Sequence, residues 1–145
     1  MACGLYALVV RELLAGAVPH VALKSALNAF RAFYEPDPYW AAELHTFQLL
    51  LAGDLASRAE TDIESSGYVI HTLNASLWCL LTTRSYRDCV LRAVNLGGDT
   101  DTTGCVAGGL AGVAYGAQAI PTEWLVQLAR HQDLEHLFKQ FVKVA

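Results

Sequence analysis

The chain has 145 residues, 54% of them hydrophobic and only 17% charged, with a formal net charge of −4 and ten Lys and Arg residues scattered along its length. That apolar content excludes a disordered chain, and the lack of a basic cluster excludes a nucleic-acid backbone as partner. The charged fraction is low for a free-standing domain of this size, which predicts apolar surface that something else covers.

Apolar side chains recur at helical spacing, and period-two alternation is sustained nowhere, so an all-α domain over residues 1–145 is expected. A first helix is predicted over residues 5–14, stopping near Gly16. The apolar opening of residues 1–10 lacks the leading positive charges of a signal peptide, and Arg11 and Glu12 interrupt it at once. Pro19 opens a second helix that continues through Ala22, Ala26, Ala29 and Phe33. Residues 35–38 break it; Asp37 is a good N-cap and Pro38 a good first residue for a third helix over 39–51, closed by Gly53.

Residues 54–68 are the most polar stretch and read as a surface loop with one helical turn. A further apolar helix covers 69–81, and Ser85-Tyr86-Arg87-Asp88 has the form of a capping box that starts a helix to about Val94. After an interruption at Gly97 and Gly98 comes a helix from Thr102 or Thr103 to about Ala117, then one opened by Pro121 that runs through Trp124, Leu128 and Ala129. The tail, 133–144, is amphipathic, with Leu134, Leu137, Phe138 and Phe141 on one face. The uncharged stretch 104–120 reaches only the lower edge of membrane-spanning length and follows an acidic loop, so no membrane is expected. The four cysteines lie far apart with no metal-like or paired spacing, which suits separate thiols in a reducing compartment, the cytoplasm.

The chemistry is concentrated between Asn95 and Gly104, where two carboxylates and several hydroxyls sit in a glycine-rich turn that leads into a helix. Either Asp99 or Asp101 could simply cap that helix. Alternatively, alternate residues of a tight turn aim both carboxylates at one centre, and with the Thr102 hydroxyl they form a hard oxygen set suited to magnesium or manganese. Gly97 and Gly98 would let backbone approach the ion or a ligand closely. Within the helix, Gly104, Gly108 and Gly112 recur every fourth residue, a stripe that predicts close packing against a neighbour and a rigidly held acidic loop.

The run Ser66-Gly67-Tyr68-Val69-Ile70-His71-Thr72-Leu73-Asn74-Ala75-Ser76-Leu77-Trp78, the block Gly97-Gly98-Asp99-Thr100-Asp101-Thr102-Thr103-Gly104, the small-residue stretch 107–112 and Ile120-Pro121-Thr122-Glu123-Trp124 together resemble, in that order, the C-terminal half of the ADP-ribosylglycohydrolase family. The resemblance implies an orthogonally packed all-α fold, only part of which is present, with two magnesium ions and hydrolysis of a glycosidic bond between ADP-ribose and a protein side chain or small acceptor. It assigns Asp99, Asp101 and Thr102 to the metals. It makes Ser66, Gly67 and Tyr68 candidate nucleotide contacts, as Gly97 and Gly98 are on their backbone freedom; a helix start with an aromatic beside it explains Ser66, Gly67 and Tyr68 equally well. Where the family carries an acidic residue, this chain has His71.

The resemblance also implies an N-terminal half with further acidic metal ligands, and nothing in residues 1–64 matches it. Two octahedral ions need about twelve coordination positions, of which two carboxylates and a hydroxyl fill only a few. The resemblance puts the general base in that missing half as well, so no catalytic acid or base is named in this chain. Three expectations follow: a fragment that is inactive until its N-terminal half is supplied, a binding module that keeps metal and ADP-ribose without turnover, and a truncation product that self-associates through an apolar face.

Overall fold

In a computed structural model, which describes residues 1–143, the chain is helical throughout and contains no strand among the described residues. The first helix, α1 (Ala2–Leu14), begins three residues earlier than the periodicity suggests and ends before Gly16, whose φ of +89° only glycine adopts freely. Helix α2 (Pro19–Tyr34) packs antiparallel-fashion onto α1 across a short turn, burying Ala22, Leu23, Ala26 and Phe30 against Leu5, Val9 and Leu13.

The predicted third helix is broken in two. Asp37 does cap it, accepting a 2.9 Å hydrogen bond from the Tyr39 N–H, but α3 (Pro38–Glu43) gives way to a 3₁₀ turn at Leu44–Phe47 before α4 (Gln48–Leu51) resumes. Two side chains compete for the backbone at that point: His45 Nδ1 lies 2.6 Å from the Ala42 carbonyl and Thr46 Oγ1 donates to that of Glu43. Such local bonds tighten the turn at the expense of the α-helical ladder.

The polar stretch that follows is no free loop. It forms 3₁₀ turns at Leu55–Ser57 and Glu60–Asp62, buries Leu55 and Ile63, and is tied down by the Trp78 indole N–H, which donates to the Arg58 carbonyl at 3.1 Å.

Helix α5 (Val69–Thr82) is the centre of the molecule, with every residue from Thr72 to Leu80 buried. It packs against α6 (Tyr86–Asn95) and α7 (Thr100–Tyr115), which also pack on each other. Ser85 caps α6 by accepting from the Asp88 N–H, while its hydroxyl donates to the Asp88 carboxylate at 2.7 Å; the return arm of the expected capping box ends on the side chain, not on the Ser85 backbone. The glycine stripe of α7 lies against α6 as expected: a Cβ at Gly104 would come 2.8 Å from Val94, and one at Gly108 3.5 Å from the Tyr86 hydroxyl. Cys79 and Cys89 are buried between these helices, and burial raises their thiols to about 12 and about 11; Cys3 and Cys105 are exposed.

Helix α8 (Thr122–Gln127) stops two residues before the predicted end and is held onto α6 by the Arg87–Glu123 ion pair and by Arg87 over the Trp124 ring, 5.5 Å from its centroid. Helix α9 (His131–Val142) follows Arg130, which takes left-handed backbone with φ +58°. The last predicted tail residue, Val144, lies outside the described residues. The apolar face of α9 is bare, as are Phe33, Tyr39 and Trp40 near the α2–α3 corner. No helix among the described residues is long and apolar enough to cross a membrane.

Candidate functional site

The acidic loop is positioned by contacts that the sequence does not advertise. Gly97 and Gly98 both take positive φ, +82° and +68°, which turns the chain sharply out of α6. At Gly98 the turn brings backbone against backbone: a Cβ there would lie 2.0 Å from the Ser65 carbonyl oxygen. That carbonyl accepts a 2.8 Å hydrogen bond from the Asp99 N–H, joining the segment before α5 to the loop before α7. Four residues on, the Thr103 hydroxyl meets that of Ser65 at 2.9 Å, and Thr103, fully buried, also accepts through its carbonyl from Ser76 on α5.

Helix α7 begins at Thr100, so Thr102 is its third residue and not its first; Asp99 occupies the N-cap position and Asp101 the first turn. This placement tests the capping explanation of the two acids directly. Asp99 makes no side-chain capping bond, and Asp101 Oδ1 takes only the N–H of its neighbour Thr102, at 3.0 Å. Neither carboxylate satisfies the N–H of the second or third helical residue beyond it, as a cap would. The Asp99 side chain beside it, then the Thr102 backbone N–H, hold Asp101 below the usual carboxylate range. Two carboxyls in the first turn at the positive end of a helix, with a threonine next in sequence, are hard, anionic oxygen donors. Among the described residues no group of three or more His, Cys, Asp or Glu side chains could hold a metal ion.

The second predicted segment is brought to the same place. Gly67 faces the acids so closely that a Cβ would sit 3.1 Å from Asp99 Oδ2. Thr102 and Gly67 together border an apolar groove of about 360 Å³ whose floor includes Tyr6, Leu73 and Val106. Ser66 turns the other way. Its hydroxyl bonds His71 Nδ1 at 2.8 Å and accepts from the Tyr68 N–H at 3.3 Å, while its carbonyl accepts from the Thr72 hydroxyl. Tyr68 is half exposed and stands edge-on to the His71 ring, centroids 5.1 Å apart. Gly97 has open space around it and touches nothing.

Of the residues that hold the site in place, Thr103 and Ser76 lie inside the two blocks of the resemblance without a role assigned to them, and Ser65 lies just outside. Their one signal is chemical: a hydroxyl at position 76, in the middle of the most apolar helix, needs a buried partner. His71 also acquires a setting, with Glu64 Oε2 3.3 Å from the same ring nitrogen that meets Ser66.

The ADP-ribosylglycohydrolase family model matches residues 1–145, and the chain belongs to that family. It is 37% identical over 97 residues to an ADP-ribosylarginine hydrolase of Serratia proteamaculans, covering 67% of this chain and 26% of that protein. Identity is 43% over 65 residues to the ADP-ribosyl-[dinitrogen reductase] glycohydrolase of Rhodospirillum rubrum, covering 45% of this chain and 22% of the relative. An ADP-ribosylhydrolase of Mus musculus is 29% identical over 114 residues, which cover 70% of this chain and 30% of its own length. The chain spans about a quarter of the length of the first of these curated relatives.

Proposed function

We propose that this chain is the C-terminal part of a single magnesium-dependent domain that hydrolyses ADP-ribosyl linkages, working in the cytoplasm once the other half of the site is supplied. The observation that carries the proposal is the convergence of Gly67 on Asp99, because it joins the two segments of strongest resemblance into one site. Asp99, Asp101 and Thr102 would hold the metal, and their oxygens suit Mg2+ first and Mn2+ second. Bound there, a pair of such ions supplies charge to orient the ribose hydroxyls and to polarise the reacting centre.

The chain's own residues then do three things. The carboxylates fix the anionic floor of the site at the head of α7, and the Ser65–Thr103–Ser76 contacts keep that floor from moving. Gly98 lets the Ser65 backbone press against the acidic loop, and the apolar groove that Gly67 and Thr102 border gives the partner half a surface to pack on. Ser66, Tyr68 and the open backbone at Gly97 offer hydrogen bonds and an aromatic face to the nucleotide. The attacking water needs a base that these residues do not provide, so turnover is assigned to the complex with an N-terminal half.

Co-expression with an N-terminal half from a relative is the direct test: a formed complex should release ADP-ribose in the presence of magnesium, and a complex without activity would count against the proposal. A second reading is a non-catalytic module that binds ADP-ribosylated protein or a small ADP-ribose derivative. Calorimetry separates the two. Magnesium-dependent ADP-ribose binding that is lost in Asp99→Ala/Asp101→Ala, with no turnover in any complex, selects the module. Self-association through the bare apolar surface would appear in gel filtration as a concentration-dependent size.

A further inference from the structure

At the opposite end of α5 from the acidic loop, a cavity of about 390 Å³ opens between α2, α4 and the Leu55–Ser57 turn, with Leu81 of α5 beside them. Roughly 18 Å of helix separates Leu81 from Val69 at the head of α5, so this cavity is no part of the site described above. Its volume falls within the range of about 300–1,000 Å³ typical of small-molecule sites. Gly53 stands on its wall with φ +79°, and a Cβ there would meet nothing within 4 Å, so the cavity opens to solvent on that side.

Two kinds of side chain line it, and they are segregated. Leu23, Leu50 and Leu55 are buried and make an apolar floor. His20, Lys24, Asn28 and Arg31 are exposed and recur every third or fourth residue, so they stand along one edge of α2. No Asp or Glu lines the cavity. Among the described residues Lys24 has no ion-pair partner, Arg31 has Glu35 at 3.6 Å, and Asp54, next to Gly53, is held by Arg58 at 2.8 Å. In a chain of net charge −4, a basic edge over a leucine floor is a local reversal of sign. Each half selects a different part of a ligand. The floor gains from burying a hydrocarbon or aryl body and offers nothing to a small hydrated ion. Lys24 and Arg31, roughly 10 Å apart along the axis with Asn28 between them, supply N–H donors to one anionic head and repel a cation.

We infer that this cavity binds an amphipathic organic anion, a short alkyl or aryl body that carries one carboxylate or phosphate monoester. The body lies on the leucine floor and the head sits at the α2 edge, between Lys24, Asn28 and Arg31. The inference goes beyond the hydrolase proposal and uses none of the residues assigned there.

The test titrates the 145-residue chain with octanoate and octyl phosphate, followed through backbone amide NMR signals, with hexanoate, octylammonium, inorganic phosphate and ADP-ribose as comparators. Saturable shifts centred on Lys24, Asn28, Leu51 and Leu55 are expected with the octyl anions, and the tighter of the two identifies the head group. Octanoate should bind more tightly than hexanoate, by up to about fourfold for each methylene buried. Lys24→Gln and Arg31→Gln replace exposed side chains, so the fold survives, and each should weaken binding of the octyl anions roughly threefold or more. Asp99→Ala/Asp101→Ala should leave that binding unchanged. Octylammonium or inorganic phosphate binding as tightly as the octyl anions would overturn the inference, as would equal affinity for hexanoate and octanoate or parent-like binding in both glutamine variants. Shifts that follow the exposed rings of α9 and the α2–α3 corner instead would show adsorption to bare apolar surface, and saturable ADP-ribose shifts at Lys24 and Leu55 would assign the cavity to the substrate; either result also defeats it.

Discussion

Helices α7 and α9 are both marked out by their pattern of residues, yet the chain treats them oppositely. Helix α7 is poor in side chains, and every glycine of its stripe has a partner within reach: Val94, Val90 and Tyr86 on α6, with Tyr6 on α1 against neighbouring Gly109. Helix α9 has a well-formed apolar face, and Leu137, Phe138 and Phe141 stand 58–67% exposed. The lesson is that amphipathic spacing reports that a face wants burial, while small residues report that burial has been arranged. Where the partner is in the chain, the helix gives up propensity, about 1 kcal/mol per glycine, to approach it closely.

Substitutions along this contrast should separate the two helices. The largest effect is expected at the head of α7: Gly98→Ala drives a Cβ into the Ser65 carbonyl and forces alanine into φ +68°, and should cost about 2–4 kcal/mol in urea denaturation. Next is Thr103→Val, which keeps the shape but leaves the Ser65 hydroxyl without its partner; about 1–2 kcal/mol should be lost, and Thr103→Ser should restore the bond. Within the stripe the sign reverses. A Cβ at Gly108 meets Tyr86 and Val90 at ordinary contact distances of 3.5 and 3.6 Å, so Gly108→Ala should raise stability by up to about 1 kcal/mol. The smallest change belongs to α9, where Phe141→Ser should stay within about 0.5 kcal/mol because the ring is mostly exposed. A loss several times larger at Phe141 would show that α9 is packed and would erase the contrast.

The helices with long apolar stripes, α1, α2, α5 and α6, could be read from spacing alone, and so could the glycine stops at Gly16 and Gly53. What escaped was decided by side chains acting on backbone. His45 and Thr46 break an apparently continuous helix, and Trp78 clamps a polar stretch that hydropathy alone leaves loose. At the site, the acidic pair is legible because two carboxylates and a threonine in a glycine turn are an uncommon local combination. Its helix start was misplaced by two residues, since Asp, Thr and Gly weaken the periodic signal that marks a helix. Contacts between segments thirty or more residues apart, Ser65 with Thr103 and Gly67 with Asp99, leave no spacing to find.

The division of the cysteines has a practical outcome. Cys79 and Cys89 are sealed between α5 and α6 with thiols too weakly acidic to form thiolate near neutral pH, while Cys3 and Cys105 reach solvent. Cys105 lies one helical turn beyond Asp101, and Cys3 borders the groove that Thr102 lines. A maleimide dye or nitroxide added to the unmodified protein would therefore attach at Cys3 and Cys105 and place a label near the acidic loop and the groove without any engineered residue.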